Sequence, residues 1–190
     1  NNKVLPEYTI LALFNWGKNR DLTKNPYEEM EDSIREFSID LKSDLGLSDN
    51  KEYLVFEFWD EKFYGVYRKD LRVEVPPHRA MVFSIREKTV YPAFIGSNRH
   101  ILMGAVEVRS YKFDARENKL YISILLPQSE ISNNKFEHHI YFYLPDNYAL
   151  KSIIFSNDNI EHGYLQIKDL LAVSLKPQST TQVEMVLIFT

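Results

Sequence analysis

Cysteine is absent from the 190 residues, so neither a disulfide framework nor thiolate chemistry can be built here. This suits a reducing compartment but fixes no location, since many secreted proteins also lack it. Long apolar runs are missing too, and none approaches the roughly 18 residues of a membrane-crossing helix. Nor does one sign of charge dominate. Against 23 Lys and Arg stand 27 Asp and Glu, for a net charge of -4 and a pI of about 5.8. No basic face emerges, which argues against nucleic acid and against a membrane as partners. Only six glycines are present, so Asn, Asp and Pro must shape many of the turns. The chain opens on Asn1-Asn2-Lys3 with no start methionine, basic n-region or apolar h-region. It reads as an excised portion of something longer.

What is plentiful is aromatic side chain: 12 Tyr, 12 Phe and 2 Trp, 14% of the residues. Aromatic and β-branched residues favour pleated, half-buried surfaces. Period-two alternation recurs throughout. In "LRVEV", Leu71, Val73 and Val75 share one side while Arg72 and Glu74 take the other. "YTILALFNW" (8–16) is instead almost continuously apolar, as in a strand covered on both faces. "FSIDL", "EYLVFEFW", "KFYGVY" and "RAMVFSI" bring the strands expected before residue 90 to six. Seven more are expected beyond residue 104, from "AVEVRSYKF" (105–113) to "TQVEMVLIFT" (181–190). "DARENK" (114–119) reads as a hairpin turn and "PQSEISNNK" (127–135) as a polar loop.

One helix signal stands out at 25–36. Asn25 suits an N-cap, Pro26 the first helical position, and Tyr27, Met30 and Ile34 share a helical face. "LKSDLGL" suggests a single turn closed by Gly46. Alternation lapses over "VYPAFIGSNRHILMG". No strand–helix–strand rhythm appears, which excludes a Rossmann fold or a (β/α)8 barrel within these residues. The expected fold is all-β, with two consecutive antiparallel β-sandwich domains and at most one short helix. The first sandwich would span 1–90, a junction 91–104 and the second sandwich 105–190.

Catalytic constellations are sparse. Five histidines are present, but His138-His139 point to opposite faces of a strand, and no His-x-His pair offers alternate ligands. No metal and no cofactor is expected, and the histidines read as cross-strand surface residues. Ser97, His100 and Asp114 lack a nucleophile elbow around the serine. Paired-carboxylate hydrolysis needs two acids facing one bond. Among the 27 acids, Glu57 in "VFEFWD" stands out for its apolar flanks, and its expected partner is a neighbouring loop. Carbohydrate contact is a stronger candidate, because Trp and Tyr rings stack on sugar faces. Trp59, Tyr64, Tyr141 and Tyr143 are the rings singled out, and the competing reading has them fill cores or a seam. Arg99 and His100 are the expected pins between the two domains.

Taken in order, "ALFNW", "IDLKSDLGL", "EYLVFEFWDEKFYGV", "LRVEVPPHRAMVFSIRE" and "SNRHILMGAVEV" resemble the C-terminal region of α-galactosidase-like (melibiase-type) glycoside hydrolases. The likeness covers residues 8–16 and 37–108. In such enzymes a catalytic (β/α)8 barrel is followed by an antiparallel β-sandwich. There a "DLW"- or "DFW"-like triplet precedes a "V-x-LPPH" turn; here the triplet is Glu57-Phe58-Trp59. The segment around Arg99-His100 looks like the start of a further β-domain carried by a subset of these proteins. The family's catalytic aspartates belong to the barrel, so none is carried over. The resemblance implies a non-catalytic accessory region whose partner is its own catalytic barrel, with carbohydrate as a second contact. A stand-alone carbohydrate-binding module and a protein-interaction scaffold remain the alternatives.

Overall fold

The computed structural model describes residues 4–16, 33–126, 137–156, 160–177 and 182–190. Six strands precede residue 90: β1 (Tyr8–Asn15), β2 (Arg35–Asp40), β3 (Tyr53–Glu57), β4 (Lys62–Tyr67), β5 (Asp70–Val75) and β6 (Arg79–Glu87). They are followed by β7 (Ala93–Ser97), β8 (Val108–Asp114), β9 (Lys119–Leu125) and β10 (His138–Tyr143). The last four are β11 (Leu150–Phe155), β12 (Ile160–Ile167), β13 (Leu170–Pro177) and β14 (Gln182–Phe189). All pairings are antiparallel, and no helix occurs among the described residues.

The sheets stack in four layers. The two-stranded sheet β2-β5 covers one face of the sheet β1-β6-β3-β4, and Leu71, Val73, Val75, Phe83 and Ile85 form the core between them. The other face of that sheet meets the sheet β12-β13-β10-β7 through Leu54, Phe56, Val82, Ile95, Tyr141 and Tyr143. A third and larger core, containing Phe142, Val173, Ile122 and Leu187, joins that sheet to β11-β14-β9-β8. Each fully buried side chain of this size contributes about 1.5–3 kcal/mol by leaving water.

The hydrophobic pattern of each strand follows from its layer. In the outermost sheets β5 and β14 alternate, one side chain inward and the next toward water. In the inner sheets β3 is buried at all five residues and β10 at five of six, because both faces are covered. Tyr53 and Val55 pack toward β2-β5, whereas Leu54 and Phe56 pack toward the second pair of sheets.

Two local expectations change. Residues 25–32 of the helix signal lie outside the described residues, while Arg35 and Glu36 belong to β2, opposite Val75 and Glu74. At these two residues cross-strand pairing prevails over the helical signal. In the stretch where alternation lapses, Ala93–Ser97 is a strand paired to β10, so the range expected as a junction supplies an edge of the second sandwich. The first strand after Gly104 begins at Val108, because residues 101–107 are turns. The turn at "LKSDLGL" is present, with Gly46 N–H donating to Lys42 O (2.9 Å) and Gly46 at φ 70°. The polar loop 127–135 lies outside the described residues.

Candidate functional site: the seam between the sandwiches

The polar chemistry of the chain concentrates where the two inner sheets meet. The β3–β4 turn leaves the first sandwich at this seam. Glu57, the last residue of β3, is fully buried. Its Oε2 accepts from Asp60 N–H (2.6 Å) and its Oε1 from Val82 N–H (3.1 Å). The carboxylate thus closes the turn, and both oxygens are occupied by backbone. Asp60 pairs with Arg79, and Glu61, at φ 51°, swings its side chain across the seam. There Glu61 Oε2 accepts from Tyr141 Oη (2.6 Å) and lies 2.7 Å from His139 Nδ1. Asn98 completes the group: its Oδ1 accepts from His139 N–H (2.9 Å) and its Nδ2 donates to Glu137 O (3.2 Å). Burial, reinforced by the Glu61 carboxylate, pushes the Tyr141 phenol well above its usual range.

Arg86 is the second crossing point. It stands on the same face of β6 as Val82 and Ser84, so alternation carries it into the seam. Its Nε donates to Ile95 O (3.2 Å) and its Nη2 to Met103 O (2.5 Å). Ser84 Oγ donates to the same Ile95 carbonyl (2.6 Å). The guanidinium lies 3.7 Å from the centre of the Tyr8 ring and 5.1 Å from that of Phe94, which offsets lost hydration with ring quadrupoles. Burial pulls its pKa down to about 10.

The expected pins behave differently. Arg99 Nη1 donates to His138 Nδ1 (2.8 Å), on the strand next to β7 in the same sheet, and His100 Nδ1 accepts from Leu102 N–H (3.1 Å) within its own turn. These contacts stay inside the second sandwich; Arg86, Ser84 and Glu61 make the crossing. His138 is buried at 1% exposure, so the surface reading of both histidines holds only in part for His139, which is half-buried. The drawn triad does not assemble. Ser97 Oγ donates to buried Glu107, while Asp114 Oδ1 accepts from Arg116 and Glu117 N–H in its hairpin. Among the described residues no group of three or more His, Cys, Asp or Glu could hold a metal ion.

The four candidate sugar-stacking rings divide. Tyr141 and Tyr143 are 7% and 5% exposed and lie in the seam core, so neither offers a free ring face. Tyr64 is half-buried, edge-on to Phe83, with Lys62 Nζ 4.9 Å over its ring. Trp59 is 54% exposed and meets Phe58 edge-on. Sequence reasoning missed Arg86 and Glu61. For Arg86 a signal existed: Val82 and Met81 are both apolar, so both faces of β6 are covered and an arginine on either must be buried.

Large apolar side chains gather on the surface at one end of the first sandwich. Phe14 and Trp16 stack 5.6 Å apart, and with Ile34 and Trp59 they are about half exposed or more. The four belong to the same end: Asn15 is in register with Arg79, which pairs with Asp60, and Asn15 Nδ2 donates to Ser33 O (2.9 Å).

Residues 6–85 match the family described as the alpha galactosidase C-terminal beta sandwich domain; the match spans β1 to β5 and nearly all of β6. No curated protein matches the chain.

Proposed function

We propose that this chain, whose residues 6–85 match the alpha galactosidase C-terminal beta sandwich domain, is a non-catalytic accessory region that braces the catalytic barrel of an α-galactosidase-like hydrolase. In this reading the chain comprises two units that divide near residue 90. The observation that carries the bracing role is the apolar end formed by Phe14, Trp16, Ile34 and Trp59. Large apolar side chains exposed together at one end, two of them stacked rings, favour a contact surface. Docking them against a barrel would remove apolar area from water, at about 25 cal/mol per Å².

The acids and histidines support the same reading through what they already do. Glu57 closes a turn, Glu61 bridges the seam, and His138 is held by Arg99. The purified chain is expected to release no nitrophenol from 4-nitrophenyl α-D-galactopyranoside. Turnover that scales with chain concentration would remove the non-catalytic reading.

A second reading, glycan contact, is favoured by exposed Trp59. It predicts that galactose quenches or shifts the indole fluorescence in a saturable way that Trp59→Ala abolishes. No saturable change leaves Trp59 to the docking surface.

A further inference from the structure

The segment before β1 reads Val4-Leu5-Pro6-Glu7. Pro6 has no N–H to give to a ladder, so β1 cannot extend back through it. The chain instead crosses onto the second sandwich. There Leu5, only 9% exposed, joins the core between the two sheets of the second sandwich beside Phe94 and Val108, while Val4, Pro6 and Glu7 stay at the surface.

Three consecutive residues of the β7–β8 connection receive this segment. Leu102 O accepts from Tyr8 Oη (2.5 Å). Met103 O accepts from Arg86 Nη2, whose guanidinium in turn underlies the Tyr8 ring. Gly104 takes the leucine: a Cβ there would lie 2.6 Å from Leu5 Cδ1 and 2.7 Å from Phe94 Cε1. Its φ of 113° excludes other residues independently of space. Pockets of about 490 and 300 Å³, open to solvent, flank this strap, which is fastened by a leucine peg and a tyrosine bond.

We propose that the second sandwich is a clamp on this strap: residues 102–104 grip Leu5 and Tyr8 and so fix the path by which the chain enters β1. The match to the alpha galactosidase domain ends at residue 85, and the clamp gives the remaining half a task. It also explains why residues 101–107 are built as turns. A strand there could not present three successive groups to one crossing segment. The coupling is reciprocal, so displacing the strap loosens the connection, and loosening the connection frees the strap.

Amide hydrogen exchange on the full chain tests this. Leu5→Ala removes the peg, and Tyr8→Phe removes only the bond to Leu102 and keeps the ring over Arg86. Both are expected to speed exchange across residues 98–108 by about tenfold, the milder variant less, with the β2–β5 pairing unchanged. Acceleration confined to residues 4–8, or spread evenly over the chain, would overturn the clamp. If Leu5→Ala does not fold, Tyr8→Phe alone decides by the same pattern. The exchange pattern is independent of any glycoside, so a failed clamp leaves the accessory reading standing, and the converse also holds.

Discussion

Glu57 occupies the place where the family resemblance has aspartate, and its extra methylene lets the carboxylate reach two backbone donors on different segments, Asp60 and Val82. Removing it strands both N–H groups next to the seam core. Hydrogen bonds to a charged group and buried donors left unpaired are each costly. Glu57→Ala is expected to lower unfolding stability by about 3 kcal/mol, measured by urea denaturation. Glu57→Asp, which keeps the charge on a shorter arm, should lose about a third of that. Five phenols, Tyr8, Tyr64, Tyr111, Tyr141 and Tyr143, are pushed above their ordinary 10.0, each mainly by burial. A raised folded-state pKa means the folded protein holds its protons longer than the unfolded one. The stability these groups supply is complete below pH 10 and drains as pH climbs above it. Arg86, pulled down by burial to about 10, acts with the opposite sign over that window, one group against five. The urea midpoint should hold to about pH 10 and fall beyond it. The two most strongly shifted, Tyr111 and Tyr141, should ionise, by their absorbance, mainly as the chain unfolds.

Among the elements, β7 was the hardest to read and is the most informative. It has five residues between Pro92 and Asn98, every one buried, and no alternation to reveal it, because both of its faces are covered. Its Gly96 reads as punctuation in the sequence. In the structure it lies under the Phe56 ring, where an added Cβ would sit 2.4 Å from Cδ1. Phe56 is itself buried and packs at a tilt against Tyr141, with ring centres 4.7 Å apart, so neither ring has room to yield. Gly96→Ala should destabilise the chain by about 2–3 kcal/mol through overpacking, read as a lower thermal midpoint with the fold retained by circular dichroism.

The same logic separates what was legible from what was not. Strands of the outermost sheets, such as β5 and β14, announce themselves by period two, and β3 and β10 by continuous apolar character. The hairpin at 114–119 follows from Asp114 capping its own turn. Which face of an inner strand meets which layer is not local information. Tyr141 and Tyr143 therefore looked as available to a sugar as Trp59. The seam residues Glu61 and Arg86 depend on two sheets meeting, a contact written in no single window of sequence.

At the scale of the whole molecule, four sheets share three cores, and the middle one, the seam, is held by apolar rings as well as by Glu61 and Arg86. The first sandwich of this stack exposes Phe14, Trp16, Ile34 and Trp59 at one end. Docking of this end on a catalytic barrel is read from the thermal inactivation midpoint of the full-length gene product, compared with its Phe14→Ser/Trp16→Ser variant. Both rings already face water here, so the substitutions should leave unfolding of the isolated chain within about 0.5 kcal/mol. In the full-length protein the midpoint should fall by several degrees, about 2–4 °C for each kcal/mol of docking lost. An unchanged midpoint there would contradict the docking.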